Sequence, residues 1–198
     1  MVMEGLTFLQ VTGVDINQWL EPIAELRLRI FRDFPYLYEG SFDDEKDYLQ
    51  TYTQCPDALA ILLLNKRRVV GVSTGLPMMA ETEDFTRPFT DAGKDISRLF
   101  YGGESLLNPE FRGQGVYRHF IEKREQYARQ LGMRQLTFCA VDRASDHPLR
   151  PPEYVPLDTV WRKFGYQIQP QLKASYWWRD TNHTQASLHT LTYWLKTL

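Results

Sequence analysis

The sequence has few cysteines, no long hydrophobic run and almost no net charge. Two cysteines, Cys55 and Cys139, stand in 198 residues without a Cys-x-x-Cys pair, which argues against a disulfide scaffold or a structural zinc site. No run approaches the length of a membrane span, and the start lacks the basic and apolar regions of a signal peptide. We therefore expect a cytoplasmic protein with no membrane association. The 23 basic and 25 acidic residues give a net charge of −2, which disfavours nucleic acid as a partner.

Hydrophobic residues make up 43% of the chain and aromatic residues 14%, so residues 1–198 can form one domain with a large core. Apolar periodicity predicts an alternation of strands and helices. The predicted strands are 6–11, 58–64, 69–75, 99–107, 135–141, 166–168 and 174–179. The predicted helices are 16–31, 41–53, 112–131, 157–164 and 181–198. Residues 79–97 have no stable period and are predicted to form a long connection.

The C-terminal segment 181–198 carries Leu188, Leu191, Leu195 and Leu198 at helical spacing, which predicts a C-terminal helical extension. One interpretation is that this helix packs on its own domain. The other is that it forms a homodimer seam, so a monomer and a homodimer both stay open.

A strand, a glycine turn and a helix follow one another around residues 99–131. A helix N-terminus leaves backbone N–H groups unpaired and carries the positive end of the helix dipole, so it can hold a phosphate. Gly113 and Gly115 allow close approach of a ligand, and Arg112 and Arg118 can add charged contacts. An ordinary tight turn is the alternative for these residues. Because Gly-x-x-x-x-Gly-Lys and an early Gly-x-Gly-x-x-Gly are both missing, nucleotide hydrolysis and dinucleotide redox chemistry are disfavoured.

The run 106–116, Leu-Leu-Asn-Pro-Glu-Phe-Arg-Gly-Gln-Gly-Val, resembles the acyl-CoA-binding motif Arg/Gln-x-x-Gly-x-Gly/Ala of the GNAT N-acetyltransferase superfamily. One departure is Tyr117, which stands where glycine or alanine is usual. The order of the predicted elements over about residues 6–180 is also similar to that family. The resemblance implies an α/β (α+β) fold with a mixed, mostly antiparallel central sheet, two splayed parallel strands and helices on both faces, to which the predicted C-terminal helix is added.

The resemblance also implies acetyl-CoA as co-substrate, without a metal. Backbone N–H groups at the start of the helix after the glycine turn would hold the pyrophosphate, and the backbone of Leu106 and Leu107 would pair with pantetheine. Trp161 would pack against pantetheine or the core. The cofactor-binding residues so implied are Leu106, Leu107, Arg112, Gly113, Gln114, Gly115, Val116, Tyr117, Arg118 and Trp161.

The candidate catalytic residues are Glu104 and Tyr154. By the resemblance, Glu104 on the strand before the glycine turn would be the general base; a solvated or salt-bridged strand glutamate is the alternative. The tyrosine that often protonates the leaving thiolate in this family is replaced by Trp161, which cannot act as an acid. Tyr154, in the preceding loop, or water would substitute. Cys139 and His147 have no third ligand between them, which disfavours a metal or a covalent nucleophile there.

The leading hypothesis is an N-acetyltransferase in which a primary amine attacks acetyl-CoA directly in a ternary complex. The acceptor is a small-molecule or peptide amine whose identity stays open, as does the use of longer acyl groups. Acidic residues in the 79–97 connection favour a cationic amine; these are Glu81, Glu83, Asp84 and Asp91. The alternative is a non-catalytic acyl-CoA-binding regulatory module, which the residues at 117 and 161 motivate. A nucleic-acid or protein interaction module is disfavoured by the charge.

Residues 154–158, with Trp161 and Gly165-Tyr166, also resemble a subgroup of GNAT domains that accompany a carbon–nitrogen hydrolase domain. We expect residues 1–198 to form only the GNAT-like domain, without that second domain.

Overall fold

An eight-stranded sheet forms the centre of the computed structural model, which describes residues 5–198. The strands are β1 (Leu6–Thr12), β2 (Leu59–Asn65), β3 (Arg68–Pro77), β4 (Leu99–Tyr101), β5 (Ser105–Leu107), β6 (Gln135–Val141), β7 (Gln167–Trp178) and β8 (Ser187–Thr197). The α-helices are α1 (Leu20–Phe31), α2 (Phe42–Gln54), α3 (Glu83–Asp91), α4 (Val116–Gln130) and α5 (Asp158–Lys163). The predicted fold class is confirmed: the sheet is mixed and mostly antiparallel, with β4 and β6 parallel.

The strand order is β1-β2-β3-β4-β6-β8-β7, and β5 pairs with β3 beyond β4. Helices α1 to α3 cover one face of the sheet, over a core that includes Ile23, Leu49 and Phe89. Helices α4 and α5 cover the other face, over Phe120 and Trp194. Because both faces of the sheet are buried, β2 is an almost continuous apolar run, and most residues of β3 are buried too.

Local sequence sets the helix ends that border the site. The side chain of Ser41 accepts a hydrogen bond from Asp44 N, and the Asp44 carboxylate accepts one from Ser41 N, a capping box that starts α2. Helix α4 begins after Gly115, whose φ of 82° is in the left-handed region that favours glycine. Both starts lie close to the predicted ones.

The prediction of a C-terminal helix at 181–198 is wrong. Ser187–Thr197 is strand β8, which lies between β6 and β7 and pairs antiparallel with both. Strand β7 is likewise one long strand with an irregularity after Gln169, where two short strands were predicted. The leucine spacing of this segment fits a helix, but buried Tyr193 and Trp194 lie on opposite faces of a central strand.

Two further boundaries differ from the sequence analysis. The predicted strand 99–107 is broken at Gly102 and Gly103 into β4 and β5. The predicted connection 79–97 contains helix α3, whose Phe85 and Phe89 are buried one turn apart. In the part of the chain that is described, no helix is both long and apolar enough to cross a membrane.

Candidate functional site

The sheet opens where β4 ends. Strand β4 pairs with β6 as far as Tyr101↔Thr137, and Gly102 N then donates a last hydrogen bond to Thr137 O (2.7 Å). Beyond that point β5 pairs with β3 instead, through Ser105–Leu107. One edge of β5 and the facing edge of β6 therefore have no strand partner among the described residues. The two strands that the resemblance predicted to splay apart are β5 and β6.

A single cleft of about 1620 Å³ follows this opening. It is lined by the start of α4, by β5 and the second half of β6, by the 31–37 connector after α1, and by the 149–158 loop before α5. Of the predicted cofactor-binding residues, Leu106, Leu107, Arg112, Gly113, Gly115, Val116, Tyr117 and Trp161 line it. Both predicted catalytic residues, Glu104 and Tyr154, line it as well.

The start of α4 presents backbone donors to one end of the cleft. Gly113 and Gly115 both have positive φ, 74° and 82°, so residues with side chains would be strained there. The first hydrogen bond into the helix runs from His119 N to Gly115 O (3.2 Å), which leaves the preceding N–H groups without a helical acceptor. Arg112 bends back, and its Nε donates to Leu107 O (3.3 Å). This geometry suits an anion such as a phosphate.

Two predicted cofactor-binding residues, Gln114 and Arg118, are exposed and are not among the residues that line the cleft. Gln114 Nε2 donates to Glu110 O (3.1 Å). The Arg118 guanidinium lies over the ring of Phe164 and 3.7 Å from Glu122. Their side chains therefore serve local contacts in this structure, although the backbone of both residues belongs to the helix start.

Tyr117 and Trp161, the two residues that differ from the pattern usual in the GNAT family, contact each other. The Trp161 indole N–H donates to the Tyr117 hydroxyl (2.8 Å), and both rings pack with the core on the α4 side of the sheet. Burial raises the pKa of Tyr117, so this phenol stays protonated at neutral pH. Trp161 therefore holds a tyrosine hydroxyl at the wall of the cleft.

Glu104 is buried at the other end of the cleft, directly after the break in the strand. Its Oε2 lies 2.7 Å from Arg27 Nη1 and accepts a hydrogen bond from the Tyr48 hydroxyl (3.3 Å). Its Oε1 is buried and has no partner among residues 5–198. One oxygen of Glu104 is therefore salt-bridged, which was the alternative for this residue, and the other makes no hydrogen bond within the described chain.

Arg27, on α1, is the centre of a buried ionic cluster that the sequence analysis missed. It is ion-paired with Glu45 of α2 as well as with Glu104, and its guanidinium lies 4.0 Å from the centre of the Tyr48 ring. Burial alone would lower the pKa of Arg27, but the charges of Glu104 and Glu45 outweigh it and raise that pKa well above its usual value. The only sequence signal was Arg27 on the buried face of a predicted helix.

Glu81 is a further buried carboxyl near this cluster. Its Oε2 accepts a hydrogen bond from Thr82 N (2.9 Å), and its Oε1 has no partner in the described chain. Burial raises the pKa of Glu81 to about 7; the charge of Glu104 adds to this, while the Thr82 N–H and Arg27 oppose it. Glu81 does not line the cleft.

We expect Glu81→Gln to stabilise the protein in a pH-dependent way. In the unfolded chain Glu81 loses its proton near pH 4.5, whereas in the folded protein it keeps the proton up to about pH 7. The free energy of unfolding of the wild type therefore falls as the pH rises between these two values. The variant, which cannot ionise there, should gain about 3 kcal/mol relative to wild type between pH 4.5 and about pH 8. Urea unfolding across this range measures the difference. Exposed Glu83→Gln is the matched control, and a pH-independent difference for Glu81→Gln would contradict the assignment.

Tyr154 lies at the mouth of the cleft. Its ring meets Phe34 of the 31–37 connector edge to face (4.7 Å between ring centres), and the Arg150 guanidinium lies 5.0 Å from its centre. Burial raises the pKa of Tyr154. The Arg143 guanidinium, just after β6, ties the connector to the end of β7, because it donates to Pro35 O and Tyr36 O (both 2.7 Å) and pairs with Asp180. The 31–37 connector at the rim of the cleft is thus held by Tyr154 on one side and by Arg143 on the other.

Cys139 and His147 do not form a catalytic pair. Cys139 is buried, its Sγ lies 3.3 Å from the Tyr101 hydroxyl, and burial raises the pKa of its thiol to about 12. His147 Nδ1 accepts from Leu149 N within the loop. A thiol that stays protonated is a poor nucleophile. Within residues 5–198, no group of three His, Cys, Asp or Glu side chains is placed to hold a metal ion.

Comparisons with known proteins agree with this geometry. No protein-family model matches the chain, and no curated protein matches its sequence. Solved structures do match: an acetyltransferase from Thermus thermophilus (17% identity, TM-score 0.58, 100% of both chains), and a ribosomal-protein-alanine N-acetyltransferase from Brucella melitensis (11%, 0.62, 97% of this chain and 99% of that one). A GCN5-related N-acetyltransferase from Kribbella flavida is also similar (12%, 0.54, 98% and 99%). Over essentially its whole length, the chain has the fold of the GNAT acetyltransferases.

Proposed function

We propose that this protein is an N-acetyltransferase that moves an acetyl group from acetyl-CoA to a primary amine by direct attack. The observation that carries the proposal is the set of groups that line one cleft. An anion-binding helix start lies at one end, two free strand edges lie between, and a buried carboxylate with a free oxygen lies at the other end. These three features follow one another along the cleft in the same order as the pyrophosphate, the amide-bearing arm and the acyl group of an acyl-CoA, with the acceptor amine at the acyl end.

The residues present fit the donor. The N–H groups at the start of α4 suit a pyrophosphate. The free backbone edges of β5 and β6 suit an extended arm that carries amide groups, because such an arm can pair with a strand edge as another strand would. When bound, acetyl-CoA supplies an acetyl group already activated as a thioester.

Glu104 is the proposed general base. Its free Oε1 would accept the proton that the amine nitrogen loses as the nitrogen lone pair forms the new C–N bond. Two phenols of the cleft lining, Tyr117 and Tyr154, can give a proton to the departing sulfur, which leaves with the electron pair of the C–S bond. Both phenols are protonated at neutral pH, because burial raises the pKa of each.

The charge around Glu104 supports a cationic acceptor. On the α1 side of Glu104, the buried carboxylates Glu45 and Glu104 share Arg27, and a third buried carboxyl group, Glu81, lies near enough to feel the charges of both Glu104 and Arg27. A buried cluster with more acid than base is stabilised by a further cation. An amine that arrives as an ammonium ion would supply that cation; its extra proton would pass to water before the attack, so that Glu104 accepts only the proton lost as the C–N bond forms.

Thermal unfolding with acetyl-CoA tests the donor site. At about 100 times its dissociation constant, acetyl-CoA should stabilise the fold by about 2.7 kcal/mol, a shift of roughly 5–10 °C in Tm. In Gly115→Ala the shift should fall by at least about half, because the new side chain strains the positive-φ helix start. Gly93→Ala is the matched control, since Gly93 also has positive φ and open space but does not line the cleft.

Thiol release across a panel of amines then separates an enzyme from a binding module. A Tm shift with amine-dependent release supports the transferase, and a shift with no release from any amine supports the regulatory alternative. If acetyl-CoA at millimolar concentration gives no shift in the wild type, the proposed donor site is wrong.

A further inference from the structure

Arg124 places a buried positive charge where the sheet opens. It lies on α4 and is 2% exposed, and it belongs to the lining of the cleft. A β-carbon at Gly102 would lie 2.7 Å from the Arg124 guanidinium carbon, which places that group against the residue at which β4 and β6 part. Eight residues separate Arg124 from Val116, so it lies about 12 Å along the axis from the start of α4.

No acidic side chain neutralises this guanidinium within the described residues. Nη1 reaches only neutral acceptors: the hydroxyls of Ser73 and Ser105 (both 3.2 Å) and the carbonyls of Thr74 and Glu104 (both 3.4 Å). Nε is buried without any partner in the described chain. Burial of a charge without a counterion destabilises the folded protein. A ligand that brings the opposite charge would offset this loss of stability.

From this geometry we infer that Arg124 binds a negatively charged oxygen on the acyl part of the donor. The inference rests on the proposed function, because it needs an acyl-CoA in the cleft. In the proposed complex the phosphates are bound at the start of α4. The Arg124 guanidinium lies at the opposite end of the cleft, which we call its apex, beside the backbone of Glu104. The group that reaches this apex is therefore the acyl end of the donor.

Two sources can supply such an oxygen. One is the thioester oxygen itself, on which negative charge develops as the amine attacks. The other is the carboxylate of a dicarboxylic acyl group, such as succinyl. In both, the charged guanidinium donates a hydrogen bond to an oxygen of the acyl group: to a carboxylate that is already negative, or to a thioester oxygen that is neutral in the bound donor and becomes negative during attack.

Two measurements that need no acceptor distinguish the sources. In the first, infrared difference spectra of acetyl-CoA labelled with ¹³C at the carbonyl compare the bound and free carbonyl stretch. If Arg124 contacts the thioester oxygen, binding to wild type lowers the stretching frequency, and Arg124→Gln removes most of the shift. In the second, calorimetry gives the Kd values of acetyl-CoA and succinyl-CoA. If Arg124 contacts a carboxylate, wild type prefers succinyl-CoA by about tenfold or more, and Arg124→Gln abolishes the preference.

Controls separate ligand binding from a purely structural role. Arg124→Lys keeps the charge and should retain part of either effect. Ser73→Ala removes one hydrogen bond of the same guanidinium but keeps the charge, so it should leave both readouts unchanged. Thermal unfolding without ligand shows that each variant is folded.

The inference is overturned if Arg124→Gln folds, binds both donors and shows the wild-type carbonyl frequency and the wild-type ratio of Kd values. It is also overturned if Arg124→Gln does not fold and Arg124→Lys shows the same frequency and ratio as wild type. If wild type binds neither donor, the proposed function fails first, which is a different result.

Discussion

Arg27→Met should lower the free energy of unfolding by about 3–5 kcal/mol. Methionine fills much of the volume of arginine, but it leaves Glu45 and Glu104 buried without their shared cation. The penalty comes from the two stranded carboxylates more than from any lost packing, and Glu81 nearby adds a third carboxyl. Urea unfolding near neutral pH measures the loss.

The matched control is Arg87→Met. Arg87 also pairs with a glutamate, Glu83 at 2.8 Å, but both side chains are exposed, so water replaces the contact and the free energy of unfolding should stay nearly unchanged. If the two variants lost similar amounts, the buried cluster would not be the stabilising centre that the structure indicates.

Glu104→Gln should lower kcat by about 10²-fold or more while leaving the Kd of acetyl-CoA near the wild-type value. The amide keeps the shape of the side chain and can still contact Arg27, but its oxygen cannot take up a proton at neutral pH. The assay is thiol release with the amine that gives the highest rate with wild type. Binding of acetyl-CoA, measured on the same samples, shows whether the donor end of the cleft is intact.

Glu45→Gln provides the comparison. It removes the other carboxylate of Arg27, so it carries a similar structural cost, yet Glu45 does not line the cleft. We expect Glu45→Gln to lose stability and to keep most of its kcat. Should Glu104→Gln retain both the turnover and the pH profile of wild type, the assignment of Glu104 as the base would be wrong.

The sequence predicts the parts of this site that are contiguous in the chain. From the residues alone, Arg112 to Val116 is either a phosphate-binding turn or an ordinary tight turn; the resemblance to the GNAT motif is what selects the first and what points to Glu104 on the strand before it. Arg27 and Glu81 are 77 and 23 residues from Glu104, and only the packing of α1 and of the turn before α3 brings them near it. The buried charge of Arg124 was missed because it looks like one more basic residue on a polar helix.

The C-terminal error has a different cause. In Ser187–Thr197 both faces of the strand are buried near its middle, so the alternation that marks a half-buried strand is missing. The leucines at 188, 191 and 195 then fit a helical period by coincidence. The better signal was the content of β-branched and aromatic residues, Thr190, Thr192, Tyr193 and Trp194, which favour strands.

Strand β4 is the short connection between the two halves of the sheet. It has three residues, and it joins β1-β2-β3 to β6-β8-β7 through two paired positions on one side and three on the other. Within each half, the neighbouring strands share seven or more paired positions, so each half is stiffer than the seam between them. The hydrogen-bond ladder that joins the two halves is therefore shortest at Leu99–Tyr101, at the point where the cleft begins.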